Sequence, residues 1–246
     1  MIGEEELRVE HLSGEKFRDI SFSVHSGEIL GVFGLIGAGR TETMRGLFGA
    51  DPLSAGRIEL NGKEVQIRNP REAIEHGVVL ISENRKEEGL ILIHDVVENV
   101  TLPTLDNFKG PLRLLRRDKR ERKTLEYGEK MKLRPLHIHK NAMNFSGGNQ
   151  QKIVIERWVM ADAHVYIFDE PTKGVDVGAK VEIYSIINKL AEQGAAIIMV
   201  SSEMQEILGM SANVLVMYEG RQTGYVPRSE DMTQEKLMGL GTGGKI

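Results

Sequence analysis

Asn144-Phe145-Ser146-Gly147-Gly148-Asn149-Gln150-Gln151-Lys152 puts a hydroxyl and two glycines where a helix begins. Bare backbone N–H groups at the positive end of a helix dipole suit a phosphate. Further along, the apolar run Val165-Tyr166-Ile167-Phe168 ends in Asp169-Glu170. A buried strand ending in two carboxylates can deliver a metal-holding Asp and a water-polarising Glu to a nucleotide. Upstream of both, Gly34-Leu35-Ile36-Gly37-Ala38-Gly39-Arg40-Thr41 follows an apolar strand and opens a helix. Glycines allow the tight turn, so consecutive N–H groups can point at phosphate oxygens. Thr41 would supply the hydroxyl that holds Mg²⁺. Arg40 stands where such loops carry lysine. Arginine keeps the positive charge but is a planar fork, not a compact point charge. Nucleotide binding is expected to survive in weakened or altered form, and catalysis to suffer more.

Taken alone, the glycine loop could be a strand–helix turn that needs glycine for packing only. The Ser-Gly-Gly and Asp-Glu segments downstream remove most of the weight from that alternative. A dinucleotide-binding fingerprint is disfavoured, because Gly37-Ala38-Gly39-Arg40-Thr41-Glu42 lacks the final glycine.

The elements that must position these residues are visible as patterns. Ile20, Phe22 and Val24 alternate with polar residues and predict a half-buried strand. Ile29 to Phe33 is a strand running directly into the glycines. Arg57 to Leu60, Asn61-Gly62 and Glu64 to Ile67 predict a hairpin on a type I′ turn. Asn69-Pro70 predicts a short capped helix ending at Gly77, followed by a buried strand over Val78 to Ile81. From Ser146 onward helices alternate with strands: Gln150 to Met160, Val165 to Phe168, Gly178 to Ala191, Ala196 to Val200, Glu203 to Leu208, Val214 to Met217. Such alternation predicts a parallel sheet covered by helices. Between these regions, Arg116 to Lys123 is a charged helical stretch whose interleaved Asp and Glu favour a solvated face over a lipid or nucleic-acid surface.

The whole chain sets outer limits. With 246 residues it can bury a full core, as one large domain or a core with a subdomain. It has no cysteine, which excludes disulfides and thiolate metal sites and fits a reducing compartment. A net charge of −4 gives no electrostatic reason to bind nucleic acid. Ala195 to Val200 is the longest apolar run and is far too short to cross a bilayer. The acidic start, Met1 to Glu6, does not read as a signal peptide. A membrane role must therefore act through a protein partner.

The glycine loop, the Ser-Gly-Gly segment and the Asp-Glu strand, in this order, resemble the Walker A loop, signature sequence and Walker B strand of ATP-binding cassette (ABC) ATPases. Ser82-Glu83-Asn84-Arg85-Lys86 with Gly89-Leu90, Asp169-Glu170-Pro171-Thr172-Lys173-Gly174-Val175-Asp176, and Ser201-Ser202-Glu203-Met204-Gln205-Glu206 narrow the likeness. They resemble the second, C-terminal cassette of the tandem ATPase subunit of bacterial monosaccharide importers of the ribose, galactose or xylose type. The resemblance covers roughly Leu7 to Gly220.

The resemblance implies an α/β fold: a P-loop NTPase core with a mostly parallel sheet, an N-terminal antiparallel β subdomain and a helical subdomain. The cassette is expected over 7–227, with the helical subdomain at about 95–160. Residues 1–6 are expected to be an inter-cassette linker or the start of an excised half. Residues 228–246 are expected to form a C-terminal helix and a disordered tail. It also implies ATP and Mg²⁺ as ligands. Gly34, Gly37, Ala38, Gly39, Arg40, Thr41 and Glu42 would hold the nucleotide. Thr41 would hold the metal and Asp169 would hold it through water, joined by Glu83 at the place where the family has glutamine. Glu170 would be the catalytic residue. Ser202 stands where the family has a histidine touching the γ-phosphate, and a hydroxyl cannot supply that charge. Phe17 is a weak candidate for adenine stacking and a better one for packing. Asp176 matches the aspartate of the loop that bridges cassette halves.

A cassette site is composite in this family, so Ser146, Gly147 and Gly148 would serve the ATP of a facing cassette. That cassette would be the first of the same subunit or a homodimer mate. The other implied partners are membrane permease subunits and, indirectly, a periplasmic sugar-binding protein. The implied location is the cytoplasmic face of the inner membrane. Three functions compete: an ATPase motor for sugar import, a non-hydrolysing regulatory half-site supporting a catalytic cassette, and a soluble ABC ATPase of DNA maintenance or translation. Absent insertions and negative charge count against the third.

Overall fold

The computed structural model describes residues 2–229 and 232–244. The chain divides into two compact units, Met1–Leu80 with His164–Pro171 and Ile187–Ile246, and Ile81–Ala163 with Thr172–Ile186.

The first unit is built on two sheets. One is antiparallel, in the order β2-β1-β4-β5, from β1 (Glu5–Gly14), β2 (Ile20–His25), β4 (Leu53–Leu60) and β5 (Lys63–Val65). Its register sets Leu7 opposite Val24 and Leu60, and Val9 opposite Phe22 and Ile58, so one face is apolar. The Asn61-Gly62 turn has positive φ at both residues, 51° and 70°, as a type I′ hairpin requires. The other sheet runs β10-β9-β3-β8-β7-β6, with β3 (Ile29–Phe33), β6 (Val78–Ile81), β7 (Val165–Asp169), β8 (Ala196–Ser201), β9 (Asn213–Tyr218) and β10 (Arg221–Pro227). β3 is parallel to β8 and β9, and β7 is parallel to β8; β10 pairs antiparallel with β9. Strands β3, β6, β7 and β8 are buried at every position, which is why they read as continuous apolar runs. The helices associated with this unit are α1 (Arg40–Leu47), α2 (Pro70–Glu75), α7 (Met204–Met210) and α8 (Gln234–Gly241). Asn69 caps α2 by accepting the Glu72 N–H.

The second unit is mainly helical. It contains α3 (Val96–Thr101), α4 (Arg117–Lys130), α5 (Gly147–Val159) and the start of α6 (Val177–Glu192). Asp95 and Glu98 close a capping box on α3. Asn99 and Arg157 join α3 to α5 through the Asn99 carbonyl and Oδ1. Burial pulls the Arg157 guanidinium down to about 10. Glu156 of α5 is fully buried and neither carboxyl oxygen has a partner among the described residues, so burial pushes its pKa well above the ordinary glutamate value.

Two boundaries differ from the sequence reading. β1 takes Glu5 and Glu6 from the stretch read as a linker, pairing Glu5 with His25. At the other end, where a helix and then a disordered tail were expected within 228–246, α8 runs to Gly241 and order continues past it. The Gly243 and Gly244 N–H groups bond back to Leu240 and Gly239. Lys245 and Ile246 lie outside the described residues. Phe17 is a packing residue: it is buried, and Cβ atoms placed on Gly14 or Gly46 would collide with its ring. Among the described residues no helix is long and apolar enough to cross a membrane.

Candidate functional site

In the first unit, β3 runs straight into Gly34, and α1 begins at Arg40. The intervening loop turns through two left-handed residues, Gly37 at φ 84° and Gly39 at φ 88°. A Cβ on Gly39 would come within 3.0 Å of Gly220 Cα, whereas one on Gly37 would meet nothing within 4 Å. Gly39 is thus fixed by packing, and Gly37 opens onto free space that a phosphate can occupy. Gly34 is wedged between the Met217 carbonyl and Ala38, and the Ala38 N–H bonds back to the Leu35 carbonyl at 3.0 Å. Glu42 accepts a bond from Lys16 at 3.4 Å.

Arg40 turns toward the end of β7. Its Nη2 donates to Glu170 Oε1 at 3.2 Å, and both side chains are only 9% exposed. Its Nη1 is buried with no partner among the described residues. Leaving a buried donor unmet costs about 1–3 kcal/mol, so this atom favours an arriving acceptor such as a phosphate oxygen. Glu170 is held from three sides. Its N–H donates to the Val200 carbonyl at 3.0 Å, and its Oε1 also accepts the Ser202 backbone N–H at 2.9 Å. Its own φ is 48°, a conformation that is uncommon for a side-chain-bearing residue and clusters at functional sites. Ser202 therefore meets the acid through its main chain, while its side chain is exposed.

Next to this pair, Thr41 Oγ1 donates to Asp169 Oδ1 at 3.2 Å. Neighbouring oxygen ligands of an octahedral Mg²⁺ stand roughly 2.9 Å apart. The two oxygens thus fit adjacent positions around such an ion with little adjustment. Glu83, the third ligand expected from sequence, belongs to the second unit and pairs there with Lys173.

The second unit carries the Ser-Gly-Gly turn. Ser146 caps α5, its oxygen accepting from Asn149 Nδ2 at 3.0 Å and more weakly from the Asn149 N–H. Asn149 also exchanges two bonds with the Arg134 backbone, at 2.7 and 3.2 Å, which splints the turn. The N–H groups of Gly147 and Gly148 fall in the first turn, where no intrahelical carbonyl can receive them. A Cβ on Gly148 would sit 2.4 Å from Ala179 Cβ, so only glycine lets α5 approach α6 this closely. Asp176 Oδ1 accepts the Ala179 N–H at 2.9 Å and so caps the start of α6. Sequence reasoning gave no role to Arg85 or Lys173, which also stand in this cluster. The charged run Glu83 to Glu88 was the available signal, but it does not say what each cation meets.

Residues 17–173 match the protein family described as ABC transporter. The chain is 47% identical to the ribose import ATP-binding protein RbsA of Geobacillus kaustophilus, over 99% of this chain and 49% of that protein. It is 48% identical to RbsA of Bacillus subtilis over the same shares. It is 45% identical to the xylose import ATP-binding protein XylG of Thermoanaerobacter pseudethanolicus, over 95% of this chain and 46% of that protein. The chain spans about half the length of the curated relatives it matches. In fold it is similar to the ADP conformation of an ATP-binding cassette of an ABC transporter, with TM-score 0.80, 20% identity, and 96% and 98% of the two chains covered. It is also similar to a dimeric bacterial ABC transporter cassette, with TM-score 0.77, 16% identity, and 91% and 99% covered.

Proposed function

The chain belongs to the ABC transporter ATP-binding family, and on that premise we propose that it is a nucleotide-binding cassette of a monosaccharide importer. It works as one half of a composite pair, with a second cassette of the same subunit or a second copy facing it. It sits at the cytoplasmic face of the inner membrane against permease subunits that receive sugar from a periplasmic binding protein. The likeness to ribose and xylose import proteins about twice its length supports reading it as one half of such a protein; placing it as the second cassette rests on Arg40, Glu83 and Ser202.

Gly34 to Glu42 would cradle the phosphates of ATP, with Arg40 meeting them through Nη1. Thr41 and Asp169 would hold Mg²⁺, which when bound neutralises charge on the phosphate oxygens. Glu83, which pairs with Lys173 in the second unit, is carried as a further candidate ligand. Glu170 would polarise the attacking water. Ser146, Gly147 and Gly148 would serve the nucleotide of the facing cassette, with Asp176 beside them.

The observation that carries this reading is the Arg40–Glu170 pair. The acid needed for hydrolysis is held by the cation that replaces the usual lysine, so this cassette's own site is impaired while the turn it lends is intact. The test is ATP turnover by the isolated chain and by the two-cassette assembly. The isolated chain should turn over slowly, and Arg40→Lys with Ser202→His should raise turnover only when a partner cassette is present. Vigorous turnover by a monomer, independent of concentration, would sink the composite site.

The same pair favours a second reading, a half-site that binds nucleotide and regulates its partner without hydrolysis. Single-turnover measurements on the two-cassette assembly separate the two: slow hydrolysis of a second nucleotide supports the motor with an impaired site, and a second nucleotide that stays unhydrolysed supports the regulator.

A further inference from the structure

Resting on the reading that this chain lends its Ser-Gly-Gly turn to a facing cassette, we propose that Arg85 is the positioning residue of that turn. Its guanidinium fixes the first residues of α5 against the Lys173–Asp176 loop.

Arg85 Nη1 donates to the Lys173 carbonyl at 2.8 Å and Nη2 to the Gly174 carbonyl at 3.0 Å. Two carbonyls of adjacent residues match the planar fork, which a lysine could not span. Gly174, at φ 66°, lies directly under the guanidinium: a Cβ there would be 3.6 Å from Nη2 and 3.8 Å from Nη1. Gly147 lies against the same group, since a Cβ on it would stand 2.7 Å from Arg85 Nη2 and 3.0 Å from the Gly174 carbonyl. The second residue of the Ser-Gly-Gly turn therefore rests on the contact between Arg85 and the loop. Moving the guanidinium must move either the turn or the loop, and Asp176 at the end of that loop caps the helix on which Gly148 packs.

A role in stability alone does not explain the choice of residue. No carboxylate pairs with Arg85 among the described residues, and its Nε is buried without a partner. A cation beside a helix N-terminus also opposes the helix dipole. The second of these, the charge conflict, is relieved when a phosphate anion reaches the turn. The arrangement suits a part that is held ready for an anion brought by another molecule.

The test is steady-state ATP turnover by the two-cassette assembly with Arg85→Ala or Arg85→Lys in this chain, and Ser146→Arg as control. A turn displaced by a fraction of an ångström should lower kcat about 10- to 100-fold in Arg85→Ala, and by less in Arg85→Lys. KM for ATP should change by less than about twofold, because the phosphate loop of the facing cassette is untouched. Millimolar guanidinium ion should restore part of the lost kcat in Arg85→Ala and none in Ser146→Arg. Unchanged kcat in both Arg85 variants overturns the proposal. So does a loss in Arg85→Lys that tracks lost thermal stability and has no kcat component at a temperature where the variant is folded. This second variant keeps charge and stem, and it decides the matter if Arg85→Ala fails to fold. Turnover insensitive to Ser146→Arg would refute the lent turn itself; turnover sensitive to Ser146 but not to Arg85 refutes only the role given to Arg85.

Discussion

Arg40 Nη2 stands 3.2 Å from Glu170 Oε1, joining the first residue of α1 to the residue that follows β7 across 130 positions of sequence. One end of the guanidinium holds the acid, and the other end, Nη1, is unmet. A guanidinium presents donors on both ends, so an acceptor that reaches Nη1 would share the cation with Glu170 without having to displace it.

Removing one partner of this pair should cost more than removing both. Arg40→Ala leaves Glu170 buried beside no cation, and breaking a buried pair in this way costs about 3–5 kcal/mol. The double variant Arg40→Ala with Glu170→Gln should recover a substantial part of that loss. Urea unfolding of the wild-type chain, the two single variants and the double variant gives the coupling directly; additive losses would mean the pair is not formed.

Thr41→Val keeps the shape of the side chain and deletes one of the two oxygens placed for a divalent ion. Nucleotide affinity measured with Mg²⁺ should fall toward the value measured with EDTA, while the EDTA value stays within about twofold of wild type. Titration with a fluorescent ADP analogue under both conditions checks this. An undiminished Mg²⁺ effect would remove Thr41 from the metal site.

Gly148→Ala places a methyl group 2.4 Å from Ala179 Cβ, where neither partner can rotate away. Overpacking of this kind costs about 1–3 kcal/mol. The urea midpoint should fall, and Ala179→Gly in the same chain should restore part of it even though glycine is a poorer helix former. Affinity of the chain's own phosphate loop for nucleotide should not change.

Glu156 sets a pH dependence. Burial raises its pKa in the folded chain, so the folded state holds a proton that the unfolded state gives up above the ordinary glutamate value. Below that value both states are protonated and the group is neutral toward stability. As pH climbs above it, the folded state loses ground, until the folded carboxyl itself ionises. Glu156→Gln should therefore unfold at a higher temperature than wild type at pH 8, by about 2–4 °C for each kcal/mol gained, with the gap closing by about pH 4. Differential scanning calorimetry across that range reads the slope; parallel curves would show that the carboxyl finds a partner in solution.

Much of the first unit was legible because burial on both faces leaves no ambiguity of pattern. Val78 to Ile81 and Ala196 to Val200 read as strands and are strands. β1 was missed: Leu7 and Val9 alternate, but the pairing shifts near His11, at φ 52°, and Leu12 falls out of step. β10 was missed because its only buried side chain is Val226. For the candidate site, residue types and chain order singled out Thr41, Asp169 and Ser146, and the structure sets Thr41 beside Asp169, and Ser146 at the cap of α5. The Arg40–Glu170 pair and the Arg85 clamp were not legible. Each depends on which way a long cation reaches, and its partners lie 88 to 130 residues away. The Ser202–Glu170 contact was not legible either, because it comes from the backbone N–H, which residue type does not announce.

That last contact shapes how the protein can evolve. A grip made by the peptide group survives nearly any replacement at position 202, because every amino acid but proline brings the same N–H. Drift there can therefore change the side chain without loosening the anchorage of Glu170. The seat of the acid is in this way insulated from whatever is selected at residue 202.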